Sequence, residues 1–483
     1  MNKPPARRRI RVASLIGVIA AGLLGATAFA VPAAAVEIGP NIDPAQTGSI
    51  VLHKLVQPDT PTALPNDGSE LTPAQLAGLT PISGVTFSLQ SVGNIDLTTN
   101  AGWNTVNGLT AAAVLADPTA FPLTAEGSGA TDAGGQLAFG TLPLGVYLVT
   151  ETDPGANPIA QPTAPFLVTM PLPTGDNTWL YDVNVYPKNA VTEVTKTVDD
   201  STAFGLGNDV AWTITGAVPF LAAADSLTAF AITDALDARL GYGSAAVTAV
   251  TAAGAALPLV AADYTVTAPA SGTSGTVSVA FTAEGLAKLQ ANQGAVVTLQ
   301  LTTAVLSIGD GSIENSATLT INGTENAAAA VTNWGALQIF KYATVEGVNQ
   351  RLAGAQFQIF TSAADAGTLA NPVSVDGETT FTSTAAQNIL IEGLKAGDYW
   401  VVETFAPVGY VVNSAPIPVT VSVGSTTDAA LLEVENSQVP AWLLPLTGGG
   451  GAGLFTIGGG VLIAIAVGAA FVLRGRRKAL VAA

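Results

Sequence analysis

WLYDVNVYPKN, residues 179–189, decides how the rest of the chain is read. In an extended strand, side chains alternate between two faces. Val183, Val185 and Asn189 then share one face, and Asn184, Tyr186 and Lys188 share the other. Pro187 has no N–H for a sheet ladder and suits a strand end or an edge. An amide therefore turns toward a core beside a lysine that turns toward solvent, which suggests one internal task and one between molecules.

Working outward, the stretch closes a series of landmarks that recurs. GSIVLHK (48–54), GVTFSL (84–89), LGVYLVTETDPG (144–155) and VNVYPKN (183–189) are echoed in order by GALQIFK (335–341), GAQFQIF (354–360), AGDYWVVETFAPVGY (396–410) and LEVENS (432–437). Four matching landmarks in one order imply a fold used twice. Between the copies, VAWTITGAV, FAITDALD, GTVSVAFT, AVVTLQLTTAVL and SATLTING give further strands in a different order. Short alternating runs of Val, Thr and Ala broken by Gly, Pro, Asn and Asp predict an all-β protein. Helices are expected only as short pieces after Thr72-Pro73, over 110–116 and near 283–292. With 483 residues, one core is too few. Three tandem β-sandwich domains are expected, at 36–190, 191–333 and 334–438.

The ends have another character. Residues 1–35 carry a basic run (Lys3 to Arg11), an apolar segment and a small-residue close at Ala33-Ala34-Ala35, the layout of a secretory signal peptide. Residues 439–483 hold a linker, Leu444-Pro445-Leu446-Thr447-Gly448, an apolar run at 454–473 long enough for a membrane helix, and a basic tail at 474–478. With both ends removed, eight basic residues face 35 acidic ones, a formal charge of −27. Such a surface repels phosphate backbones and argues against nucleic-acid binding. The chain has no cysteine, so an exported protein of this sequence is not held by disulfides.

Six lysines remain between the removed ends: Lys54, Lys188, Lys196, Lys288, Lys341 and Lys395. Three fall on apolar strand faces: Lys54 with Ile50 and Leu52, Lys196 with Val194 and Val198, Lys341 with Leu337 and Ile339. An unpaired buried ammonium costs several kcal/mol even after relaxation, so each needs partners. Inward amides recur at the last strands (Asn189, Asn315, Asn436), and inward acids at Glu151, Asp234 and Glu403. Burial lowers a lysine pKa and raises a carboxyl pKa. A neutral amine facing a carboxamide, with an acid bonded to it, is a nucleophile set against an electrophile. An ordinary buried ion pair with a hydrogen-bonded amide also fits these residues.

The motif at 444–448, the apolar run and the basic tail resemble the cell-wall sorting signal of Gram-positive surface proteins, which a sortase cleaves between Thr447 and Gly448. AGDYWVVETFAPVGY resembles the E-box of collagen-adhesin B-type (prealbumin-like) domains, and WLYDVNVYPKN resembles the pilin motif. Together they resemble the shaft pilins of SpaA and Actinomyces type, with Ig-like and prealbumin-like sandwiches, the first and third of B type. This resemblance implies self-formed Lys–Asn isopeptide bonds, Lys196–Asn315 with Asp234 and Lys341–Asn436 with Glu403. It implies Lys54–Asn189 with Glu151 as well, although TETDPG departs from the E-box pattern. It also implies an inter-subunit amide from Thr447 to Lys188, which builds an open head-to-tail fibre. The partners implied are identical subunits, tip and base pilins, pilin-specific and housekeeping sortases and peptidoglycan, in an extracellular fimbria with no cofactor or metal. The alternatives are a wall-anchored adhesin that never polymerises, a minor or base pilin, and a surface enzyme. For the enzyme, His53 is the one candidate for a histidine-based triad, thiol chemistry has none, and nothing in the spacing of the 35 acids favours paired-carboxylate chemistry.

Overall fold

The computed structural model describes residues 42–439 apart from 61, 63, 176 and 177. The signal-peptide segment, residues 444–448, the apolar run 454–473 and the basic tail lie outside the described residues. The chain divides into two units, Met1–Asp43 and Pro44–Ala483, and the second holds every element below. Among the described residues no helix is long and apolar enough to cross a membrane.

Alternation in GSIVLH gives the strand Gly48–His53, with Ile50 and Leu52 fully buried. It runs parallel to Asp182–Val185 and antiparallel to Gln136–Leu142. The facing sheet has the order Leu123–Ala130, Thr86–Val92, Gly145–Asp153, Phe166–Met170. Ile50, Leu52, Phe87, Leu89, Tyr147 and Val149 fill the space between the two sheets. Fully burying one such side chain is worth about 1.5–3 kcal/mol. On the outer face of the second sheet, Val146 and Leu148 pack with Leu97 and Val114 under the helices Asn100–Val106 and Ala111–Ala116. Each helix is opened by a threonine, Thr99 or Thr110, whose hydroxyl accepts from the third residue on.

Residues from 194 onward build a second sandwich. Val194–Asp199, Asp209–Ala217, Val296–Val305 and Leu240–Val250 form one sheet. Tyr264–Thr267, Thr276–Phe281, Phe230–Ala235, Ser312–Ile321 and the start of Thr324–Val345 form the other. Trp212, Trp334, Phe230 and Leu299 are among the side chains that fill its core. The helix Ala283–Gln290 is capped by Thr282.

Thr324–Val345 is one 22-residue strand. Its first part pairs with Ser312–Ile321, and its second part pairs antiparallel with Ile389–Lys395 and parallel with Ala430–Glu435. It thus leaves one sandwich and opens the next, whose facing sheet is Phe381–Thr382, Gln356–Phe360, Gly397–Phe405, Ile417–Val421. The two echoed segments share this plan: first strand parallel to last, and the GVTFSL or GAQFQIF strand antiparallel to the strand that bears the glutamate. Tyr147 and Tyr399 repeat one contact, each hydroxyl donating to the carbonyl four residues upstream.

Candidate functional site

Parallel pairing brings Lys54 and Lys341 to the last strands of their sheets, whereas Lys196 meets its partners across the space between two sheets. After His53 the chain steps through Lys54 and pairs again, Leu55–Val56 running parallel to Lys188–Val191. This step turns the Lys54 side chain inward, where it is fully buried. Lys54 Nζ donates to Asn189 Oδ1 at 2.5 Å, Glu151 Oε2 at 2.9 Å and Thr163 Oγ1 at 2.6 Å. Asn189 Nδ2 donates to Glu151 Oε1 at 2.6 Å, so the acid bridges amine and amide. The Phe87 ring lies 5.4 Å from Nζ. Burial brings the Lys54 pKa down to about 8, against the raising pull of the Glu151 hydrogen bond and charge.

The third cluster repeats the arrangement. Lys341 sits opposite Val434 in the parallel ladder, and Asn436 follows directly after that strand. Lys341 Nζ donates to Asn436 Oδ1 and, at 3.2 Å, to Val434 O. Asn436 Nδ2 donates to Glu403 Oε1 at 2.7 Å, and Lys341 Nζ lies 3.5 Å from that oxygen. The backbone N–H of Asn413 donates to Glu403 Oε2 at 2.8 Å, as that of Thr163 donates to Glu151 Oε2 at 3.1 Å in the first cluster. Burial lowers the Lys341 pKa.

The middle cluster is arranged differently. Lys196 Nζ donates to Asp234 Oδ2 under the Trp212 ring, and Asn315 Nδ2 reaches the same oxygen at 3.4 Å. No hydrogen bond joins Lys196 to Asn315. Asp234 Oδ1 and Asn315 Oδ1 are both buried without a donor. An unmet buried acceptor costs about 1–3 kcal/mol. A proton on the carboxyl would convert one of these acceptors into a donor. Burial pushes the Asp234 pKa up, toward that state, and pushes Lys196 down.

Lys188 differs from these three. Alternation directs it to solvent; the structure leaves it half-buried, because it lines a groove of about 500 Å³ with Leu64, Leu71, Phe166, Val183 and Tyr186. Burial lowers its pKa. Lys54, Lys196, Lys288, Lys341 and Lys395 each meet a carboxylate. Lys188 Nζ meets no carboxylate among the described residues. Thr447 and the rest of 444–448 lie outside them. Among the described residues no group of three or more His, Cys, Asp or Glu gathers as metal ligands would.

Residues 45–190 match the family described as Gram-positive pilin subunit D1, N-terminal domain, and residues 338–436 match the SpaA prealbumin-like fold domain. Fimbrial subunit type 2 of Actinomyces naeslundii is 33% identical over 532 aligned residues, covering 97% of each chain. Fimbrial subunit type 1 of Actinomyces viscosus is 28% identical and covers 96% of this chain and 97% of its own. The full-length major pilin SpaD from Corynebacterium diphtheriae superposes with a TM-score of 0.65 at 27% identity, covering 82% of this chain and 98% of that one. A full-length relative at this identity, two pilin-domain matches and a shared tandem-sandwich architecture place the protein at the surface as a structural component: the chain belongs to the Gram-positive fimbrial subunits, the pilins from which the extracellular fimbria is built.

Proposed function

We propose that this shaft subunit is joined head to tail by an amide between Thr447 of one copy and Lys188 of the next. A sortase breaks the Thr447–Gly448 bond and holds the Thr447 acyl group; the neutral Lys188 amine attacks that carbonyl and displaces the sortase. Peptidoglycan takes the place of Lys188 at the base of the fibre. The observation that carries this reading is the state of Lys188. It is the lysine without a carboxylate among the described residues, in a motif-bearing groove, with a pKa lowered by burial.

Inside each of the segments 36–190, 191–333 and 334–438, read as domains, a lysine attacks an asparagine carbonyl. The new bond joins Nζ to Cγ, the Cγ–Nδ2 bond breaks, and ammonia leaves with a proton relayed by the acid. The bonds are Lys54–Asn189, Lys196–Asn315 and Lys341–Asn436, with Glu151, Asp234 and Glu403 as the relays. Hydrogen bonds from lysine to amide oxygen and from amide nitrogen to acid support this for the first and third clusters. For the middle cluster, the absence of a Lys196–Asn315 hydrogen bond favours a second reading, a plain ion pair beside an unreacted amide. Loss or retention of one ammonia in a peptide spanning Lys196 and Asn315 decides between them.

Incubating the chain with its sorting signal intact, residues 36–483, with a pilin-polymerising sortase tests the shaft role. A ladder of covalent oligomers is expected, with Thr447 mapped onto Lys188, and Lys188→Ala should leave monomer alone. A full ladder from Lys188→Ala contradicts the assignment.

A further inference from the structure

The ladder that carries Lys188 is interrupted just before it. Leu52 pairs with Val185, residue-to-residue pairing lapses over Tyr186 and Pro187, where the Pro187 carbonyl alone accepts from the Leu55 N–H at 3.0 Å, and it resumes with Leu55 opposite Lys188. Across from the gap lie His53 and Lys54. Lys54 turns inward and fixes Asn189, on one side of Lys188. His53 turns to the other face, where it is 6% exposed. Its Nε2 lies 2.9 Å from Asn184 Oδ1, so an N–H there donates to the amide oxygen. Its ring stacks on Tyr186, centroids 4.5 Å apart and planes 15° from parallel. The Tyr186 hydroxyl in turn accepts from the Leu71 N–H at 2.7 Å. Asn184, Tyr186, Leu71 and Lys188 all line the groove.

From this geometry we infer that His53, the one histidine of the chain, is a positioning residue for the Lys188 amine. It adds to the sparse ladder there by holding the Asn184 and Tyr186 side chains, and so fixes the backbone from which Lys188 projects. The adjacent His53 and Lys54 clamp the motif from both faces, one on each side of the nucleophile. This inference rests on Lys188 being the acceptor. A stacked aromatic pair contributes about 0.5–1.5 kcal/mol beyond its buried area, enough to bias a short unpaired segment toward one conformation. Misplacing a reacting group by 1 Å can cost on the order of 100-fold in rate.

The test uses the whole secreted chain as acceptor, a peptide bearing the LPLTG sequence as donor, and a pilin-polymerising sortase. His53→Ala should lower kcat for Lys188 acylation about tenfold or more, with a smaller change in KM, while the ammonia losses of the chain stay as in wild type. His53→Phe keeps the stack and loses the hydrogen bond to Asn184, so it should recover part of the rate. Tyr186→Leu loses the stack and should not. If His53→Ala fails to fold, these two carry the comparison, with kcat ordered wild type, His53→Phe, Tyr186→Leu. Equal kcat in wild type and every folded variant overturns the inference. Donor peptide mapped to a lysine other than Lys188 overturns the acceptor assignment itself, and this inference with it.

Discussion

Thr163 shows what alternation can and cannot deliver at the scale of one residue. Its hydroxyl lies within 2.6 Å of Lys54 Nζ and donates to Asn189 Oδ1 at 2.7 Å, yet it stands between prolines in QPTAP, where no period assigns a face. Lys54, Lys196, Lys341 and their amides and acids were legible because each sits in or beside a strand whose neighbours declare the inward side. His53, stacked on Tyr186, carried no such signal, since the lattice of strand pairs that brings them together is not local. Glu403→Ala or Asp234→Ala should each restore one ammonia, about 17 Da, to the intact mass. The amine must be neutral to attack, so ammonia loss at Lys54–Asn189 should quicken with pH and level off above about 8, followed by mass spectrometry after refolding. The sign is the same for folding before the bond forms. Between about 8 and the ordinary lysine value of 10.5 the unfolded chain holds the proton and the folded one does not, so stability rises with pH.

At the scale of elements, the short strands follow from period-two alternation, and the capped helices at 73, 111 and 283 from their threonines. The helix Asn100–Val106 was not legible: it is seven residues long and held by a Thr99 cap and Trp103 packing rather than by an apolar stripe. Nor was the continuity of Thr324–Val345, because its alternating small residues read equally well as two strands with a linker. Where this strand passes between sandwiches, the loop around Leu206 reaches the other side. A Cβ on Gly393 would stand 2.1 Å from Leu206 Cγ, and its φ of +78° already disfavours any other residue. Lys395 Nζ donates to Asp200 Oδ1 at 2.6 Å across the same junction. Gly393→Ala should therefore destabilise the junction by about 1–3 kcal/mol, seen as faster amide hydrogen exchange in residues 203–208 and 389–395. Unchanged exchange there would show that the close approach is not needed.

For the whole molecule, sequence alone indicated tandem sandwiches through the repeated landmarks, and the relatives show the fimbrial family. The absence of cysteine leaves an exported subunit without disulfides, and in the proposed reading the internal clusters take their place. An amide between first and last strands carries load past the sheets, because the chain between the joined residues cannot be pulled out. In single-molecule extension the wild-type segment 341–436 should not lengthen. Glu403→Ala should add one step of about 310–340 Å, the reach of the 95-residue separation at ~3.3–3.6 Å per residue. An equal step in wild type would mean that the third cluster is not a bond. The most direct measurement is the intact mass of the secreted chain, residues 36–447. Buried amines that have become amides give a mass below that of the sequence by about 34 or 51 Da, two or three ammonia losses; a mass equal to that of the sequence contradicts the account.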